Sequence, residues 1–140
     1  MRIYFSCSIT GGRQDQSHYQ TIVRLLQDQG HDVLTAHLAS PDILDIESMA
    51  SPGEVYQRDI GWIDACDLLI AEVSTPSHGV GYELAYAVGI HKPVLCCYQD
   101  GQRVSKMITG NPHLQAAPYQ DMQDLFALIS RFLESNASLS

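Results

Sequence analysis

The chain has 140 residues, 45% of them apolar, with 16 acidic against 8 basic side chains and a net charge of −8. That length suits one domain with a real core, and the acidic balance excludes binding of nucleic-acid polymers through a basic surface. No apolar run approaches the roughly 20 residues of a membrane span, and Met1-Arg2-Ile3-Tyr4-Phe5 enters a strand pattern without a signal-peptide core. A cytoplasmic protein that stays off membranes is the expectation.

Four cysteines, Cys7, Cys66, Cys96 and Cys97, lack metal-ligand or C-x-x-C spacing. They are expected to be reduced and buried. The six histidines are scattered without H-E-x-x-H spacing, so no metal site is expected.

In chain order, Arg2 to Ser6 is a short β-rich run, and Ser8 to Arg13 a glycine-bearing turn. Tyr19, Ile22, Val23 and Leu26 then fall at i, i+3, i+4 and i+7, which predicts a helix from about Asp15 to Gln29, ended by Gly30. Asp32 to Leu34 is a brief second strand, and Thr35 to Ala50 an irregular polar connection. His37 lies just past that strand, where ligands are contacted in such sheets. Ser51-Pro52-Gly53-Glu54 is a capping box opening a helix to about Cys66, with Tyr56, Ile60 and Ile63 on its apolar face and Asp59 at that face's edge.

Asp67 to Val73 reads as a third strand, apolar throughout, as a central parallel strand should be. Ser74 to His78 forms a polar loop, and a helix follows from about Gly81. Gly79 and Gly81 would let the backbone approach a bound group, and a helix N-terminus beside the Ser77 hydroxyl is an anion site. Glu83 lies four residues past Gly79, about 6 Å along a helix. One element could therefore hold a 5′-phosphate and aim a carboxylate at the glycosidic carbon of a nucleotide.

Pro93 to Tyr98 is a fourth strand, Gln99 to Arg103 a turn, and Val104 to Asn111 a short connection carrying Ser105. Pro118-Tyr119 is a short edge strand, and Met122 to Leu133 a strongly amphipathic last helix. Residues 1–134 form one domain in this reading, and 135–140 a fraying tail. Alternating strands and helices predict an α/β fold, a doubly wound parallel sheet with helices on both faces. Ligands in such sheets bind beyond the carboxyl ends of the strands.

Three motifs carry a family resemblance: Y-F-S-C-S-I-T-G-G-R from Tyr4, R-D-I-G-W-I-D-A-C-D-L-L-I-A-E-V from Arg58, and P-S-H-G-V-G-Y-E-L-A from Pro76. In this order they resemble the nucleoside 2-deoxyribosyltransferase superfamily, and within it the 2′-deoxynucleoside 5′-monophosphate N-hydrolase branch. The resemblance implies a flavodoxin-like fold and a homodimer with shared active sites. It implies Glu83 as the nucleophile on the anomeric carbon, Asp59 in acid/base work, and Tyr4 positioning Glu83 and the sugar. Ser77, Gly79, Ile9 and Gly11 would bind the nucleotide, and Ser105 would reach the phosphate in the neighbouring subunit's site. Cys7 stands where that branch carries Gly, and Thr10 where it carries Arg. Cys7 would narrow the pocket, Thr10 removes a positive charge, and Arg13 is the candidate on the same loop to replace it.

The implied activity is hydrolysis of the N-glycosidic bond of a nucleoside 5′-monophosphate through a glycosyl-glutamate, with no cofactor. Two alternatives stand beside it: a transferase exchanging bases, and a non-catalytic nucleotide sensor on the same fold. Transferases acting on free nucleosides tend to carry an acid six residues before the nucleophile. Ser77 occupies that position here and can donate to a phosphate without repelling it.

Overall fold

The computed structural model describes residues 1–9, 12 and 14–139. Five strands, β1 (Arg2–Ser6), β2 (Asp32–Val33), β3 (Leu68–Glu72), β4 (Val94–Gln99) and β5 (Gln115–Tyr119), pair in the order β2-β1-β3-β4-β5. Every pairing is parallel, with Tyr4 opposite Leu69, Ala71 opposite Cys96 and Tyr98 opposite Pro118. The doubly wound sheet expected from the sequence is borne out. β5 is longer than the expected Pro118-Tyr119 pair, and its edge position tolerates the proline.

Side chains alternate between the two faces. Ile3, Phe5, Leu68, Ile70, Leu95 and Cys97 pack with α1 (Gln16–Asp28) and α6 (Met122–Ser135). Tyr4, Leu69, Ala71, Val94 and Cys96 pack with α3 (Pro52–Ala65) and α4 (His78–Gly89). Each fully buried Leu, Ile or Phe in these layers contributes roughly 1.5–3 kcal/mol. All four cysteines are buried, as expected.

The helix signals have physical counterparts. Gly30 has φ +81°, and His31 N–H donates to the Leu26 carbonyl at 3.1 Å, the left-handed stop that a glycine permits. Ser51 and Glu54 form the reciprocal capping box of α3. Four expectations need correction. The polar connection after β2 is not irregular: it holds a 3₁₀ turn, Ala36–Ala39, and a short helix α2 (Ile43–Ser48). The connection after β4 likewise contains a short α5 (Lys106–Thr109). Tyr56 is exposed, because α3 turns Ile63 and Cys66 toward the sheet, and Tyr56 instead meets Tyr82 edge-on at 6.2 Å. β3 is not apolar throughout, since it ends on the fully buried Glu72.

After α6 a 3₁₀ turn, Ala137–Leu139, ends the described chain. Among the described residues no helix is long and apolar enough to cross a membrane. The sheet changes direction of winding between β1 and β3, and the crevice beyond their carboxyl ends is where such folds bind ligands.

Candidate active site

Tyr4 and Ser6 are two apart on β1 and so point to the same face, toward α4. α4 begins at His78, three residues before the predicted start, because Ser77 caps it: the Ser77 Oγ accepts from Val80 N–H at 3.4 Å. Glu83 therefore sits in the second turn of α4, with its carboxyl over the end of β1. Ser6 Oγ donates to Glu83 Oε2 at 2.5 Å. The buried Tyr4 hydroxyl makes no hydrogen bond of ordinary geometry among the described residues, yet it faces Glu83 closely enough that each perturbs the other.

Burial pushes the Glu83 carboxyl up to about 7, against the hydrogen bond from Ser6 and the nearby Tyr4 phenol, which both favour the charged form, while the charge of Asp59 adds to the rise. Burial and the neighbouring Glu83 and Asp59 raise the Tyr4 phenol well above its ordinary value, so it remains a neutral donor. The result is a half-buried carboxyl poised near neutrality beside a phenol and a hydroxyl.

Asp59, on α3, accepts from Arg58 Nε at 2.8 Å. Arg58 also forks onto Glu47 at 2.9 and 3.2 Å and lies 4.9 Å from the Trp62 ring centroid. His37 packs edge-on against Trp62 at 5.4 Å and comes within 3.5 Å of Glu47 Oε1. Burial and Arg58 lower the His37 pKa, which favours a neutral ring at physiological pH. The structure thus brings His37 and Asp59 into one cluster with Glu47, Arg58 and Trp62.

On the other side of α4 is a largely apolar cavity of about 420 Å³, which Ser77, His78, Arg103 and Ser105 line together with Val80 and Leu84. Ser77 and Ser105 thus share a cavity of one chain. Ser105 caps α5, accepting from Met107 N–H at 3.2 Å. Gly79 and Gly81 lie inside the first turns of α4, not in a loop. A Cβ at Gly81 would meet nothing within 4 Å, and one at Gly79 only the Ser77 Oγ at 3.9 Å. Ile9 packs against the core, and Cys7 is buried there with its Sγ donating to the Leu38 carbonyl at 3.9 Å. The expectations placed on Thr10, Gly11 and Arg13 lie outside the described residues.

A second buried carboxyl, at Glu72, occupies the opposite face of the sheet. Its Oε1 accepts from the hydroxyls of Ser74 and of Tyr119, the latter at 3.1 Å, and its Oε2 from Ser74 N–H at 3.2 Å. Burial pushes it up to about 7, against the Ser74 bond, with Asp15 adding to the rise.

The sequence reading omits Ser6, Glu47, Trp62 and Glu72 from the site, whereas an ion pair of Asp59 with Arg58 is legible from their adjacency and is present. Ser6 was within reach, since it follows Tyr4 at the strand period of two. Glu47 carries no local signal, because only the fold of the connection after β2 delivers it to Arg58.

The profile of the nucleoside 2-deoxyribosyltransferase family matches residues 3–125. A 5-hydroxymethyl-dUMP N-hydrolase of Danio rerio is 42% identical over 127 residues, covering 89% of this chain and 86% of the relative. The protein of that name from Esox lucius is 44% identical over 115 residues, 79% of each chain. Among solved structures, a CMP N-glycosidase of Clostridium botulinum superposes with a TM-score of 0.71 at 17% identity, over 95% of this chain and all of that one, a likeness of fold. The chain belongs to the nucleoside 2-deoxyribosyltransferase family.

Proposed function

We propose that this chain is an N-glycosidase that hydrolyses 2′-deoxynucleoside 5′-monophosphates to the free base and 2-deoxyribose 5-phosphate. The observation that carries the reading is the Glu83 carboxyl, held by Ser6 Oγ at 2.5 Å beside the buried Tyr4 hydroxyl. The names of the relatives at 42% and 44% identity support the reaction class and the substrate class.

In the proposed mechanism the Glu83 carboxylate attacks C1′ as the bond to the base breaks, giving a glycosyl-enzyme through an oxocarbenium-like state. Asp59, in its protonated form, gives the departing base the proton that it requires, is left as the carboxylate beside Arg58, and recovers a proton from the water that later attacks C1′. The neutral Tyr4 phenol donates toward the sugar or the Glu83 oxygen that carries charge. The N-terminus of α4, with the Ser77 hydroxyl, receives the 5′-phosphate, whose binding energy fixes C1′ over Glu83. The aromatic and cationic cluster of His37, Arg58 and Trp62 offers a surface for the base.

The working unit in this reading is a homodimer with shared sites. Exposed Tyr56, Tyr82 and Met107 beside the site support a face for a second copy.

The test is release of free base from a panel of deoxy- and ribonucleotides and their nucleosides, with and without an acceptor base. Hydrolysis of deoxynucleoside monophosphates without an acceptor is the expected result. Product formation only when an acceptor base is present would make the chain a transferase, and no release from any member would leave a nucleotide sensor.

A further inference from the structure

The carboxyl of Glu72 lies on the face of the sheet away from Glu83, so it touches none of the groups assigned to bond cleavage. Its partners reach three of the loops at the binding edge. Ser74, which gives Glu72 both its hydroxyl and its N–H, opens the loop from β3 to the Ser77 cap. The Ser74 Oγ also accepts from Gln99 N–H at 2.8 Å, at the start of the loop after β4. Gln99 Nε2 donates to Asp15 Oδ1 at 2.6 Å and contacts His18 Nδ1 at 3.2 Å, and Thr75 Oγ1 donates to Asp15 Oδ2 at 2.8 Å. Asp15 and His18 belong to the end of the first loop and the start of α1. Tyr119 closes the circuit, its hydroxyl meeting both Glu72 and His18.

A glutamate placed at the end of a central strand costs burial free energy, and an apolar residue there would avoid it. What the carboxyl supplies instead is two acceptor oxygens that collect donors from separate segments. We propose that Glu72 is a positioning residue for the nucleotide site, the hub of a buried hydrogen-bond network that fixes the loops after β3 and β4 against Asp15 and His18 at the start of α1. The inference rests on the nucleotide-hydrolase reading for its ligand, and on the network alone for its effect on the loops. Because Glu83 is held separately by Ser6, loss of the hub should weaken substrate binding and spare the chemical step.

The experiment compares the full-length chain with Glu72→Gln and Tyr119→Phe. The probe is whichever common deoxynucleoside 5′-monophosphate the parent hydrolyses fastest. Glu72→Gln sets an amide N–H₂ against the Ser74 donors, and KM should rise about tenfold or more while kcat stays within about threefold. Tyr119→Phe leaves the carboxyl in place and removes one donor. It should raise KM by about threefold, and it decides the matter if Glu72→Gln does not fold. Amide hydrogen exchange, which needs no ligand, should accelerate at Ser74 and Gln99 in Glu72→Gln and remain unchanged at Phe5 and Ile70. A lowered melting temperature with KM within about twofold of the parent would overturn the proposal and leave Glu72 a purely structural residue. Unchanged exchange at Ser74 and Gln99 would also overturn it. If the parent hydrolyses no nucleotide, the hydrolase reading fails by itself, and the exchange measurement still decides whether Glu72 holds the loops.

Discussion

Ser6 Oγ donates a 2.5 Å hydrogen bond to Glu83 Oε2, joining the end of β1 to the second turn of α4 across 77 positions of sequence. The bond both aims the carboxyl and favours its charged form. Ser6→Ala should therefore lower kcat/KM by about 10- to 100-fold, the worth of a hydrogen bond to a charged group, with little change in melting temperature. Steady-state kinetics on the best deoxynucleoside monophosphate checks this. A variant within twofold of the parent would mean that the serine does not support the reacting carboxylate.

The pH dependence follows from the same geometry. Burial raises the Glu83 pKa to about 7, and the reacting form is the carboxylate, so activity is present above that value and lost as pH falls through it. kcat/KM should show an acid limb centred near 7. The second ionisation of a phosphate, at about 6, contributes a limb of its own. The two are separated by Ser6→Ala: the Ser6 bond lowers the Glu83 pKa, so its removal must move the Glu83 limb to higher pH and leave the phosphate limb in place. A profile that does not move in the variant would assign the limb to the substrate.

Ser77→Asp tests how the phosphate is read. The 5′-phosphate carries about −1.5 to −2 at neutral pH. A carboxylate some 4 Å from it, at an effective dielectric near 20, repels each charge by roughly 4 kcal/mol before relaxation. Even a quarter of that for each charge, about 1.5–2 kcal/mol in all, costs more than about tenfold in affinity. Aspartate is as good a helix cap as serine, so α4 itself should be undisturbed. The ratio of kcat/KM for a deoxynucleoside 5′-monophosphate to that for its nucleoside should fall at least about tenfold. An unchanged ratio would mean that Ser77 only caps α4.

The homodimer reading makes a separate prediction. If Ser105 serves the partner's site, mixing inactive Glu83→Gln with impaired Ser105→Ala gives heterodimers with one intact site, and activity should rise on subunit exchange. With exchange confirmed, a flat activity would place Ser105 in the cavity of its own chain, where it already faces Ser77.

Much of the fold was legible because it depends on short-range patterns. The i, i+3, i+4, i+7 spacing of Tyr19 to Leu26, the Ser51–Glu54 capping box and the Gly30 stop are local and reappear at their positions. α4 starts ahead of the Gly81 that the pattern suggests, because Gly79 looks like a loop residue, whereas the Ser77 cap begins the helix before it. Tyr56 falls outside the apolar face that its spacing suggests, because that spacing to Ile60 and Ile63 is also satisfied by a residue at the margin of the stripe. Glu83 and Asp59 stand out from their motifs, and the adjacent Arg58 is a legible partner for Asp59, but Ser6 as the partner of Glu83 and Glu47 as the second partner of Arg58 are not. Ser6 and Arg58 act through pairings set by tertiary structure, between β1 and α4 in one case and between α3 and Glu47 of α2 in the other. Glu72 was hidden by its apolar neighbours Ile70, Ala71 and Val73.

The central claim is that the Glu83 carboxylate attacks the anomeric carbon, and Glu83→Gln tests it most directly. The amide preserves size and can still meet the Ser6 hydroxyl, so the site should fold and bind nucleotide with a Kd within a few-fold of the parent. The measurement is kcat for base release at saturating deoxynucleoside monophosphate, with binding followed by calorimetry on the same preparation. The account predicts a loss of at least about a thousandfold in kcat, a barrier increase of roughly 4 kcal/mol, with binding retained. A variant that binds normally and keeps more than about a tenth of the parent kcat, a barrier change under about 1.4 kcal/mol, would contradict it.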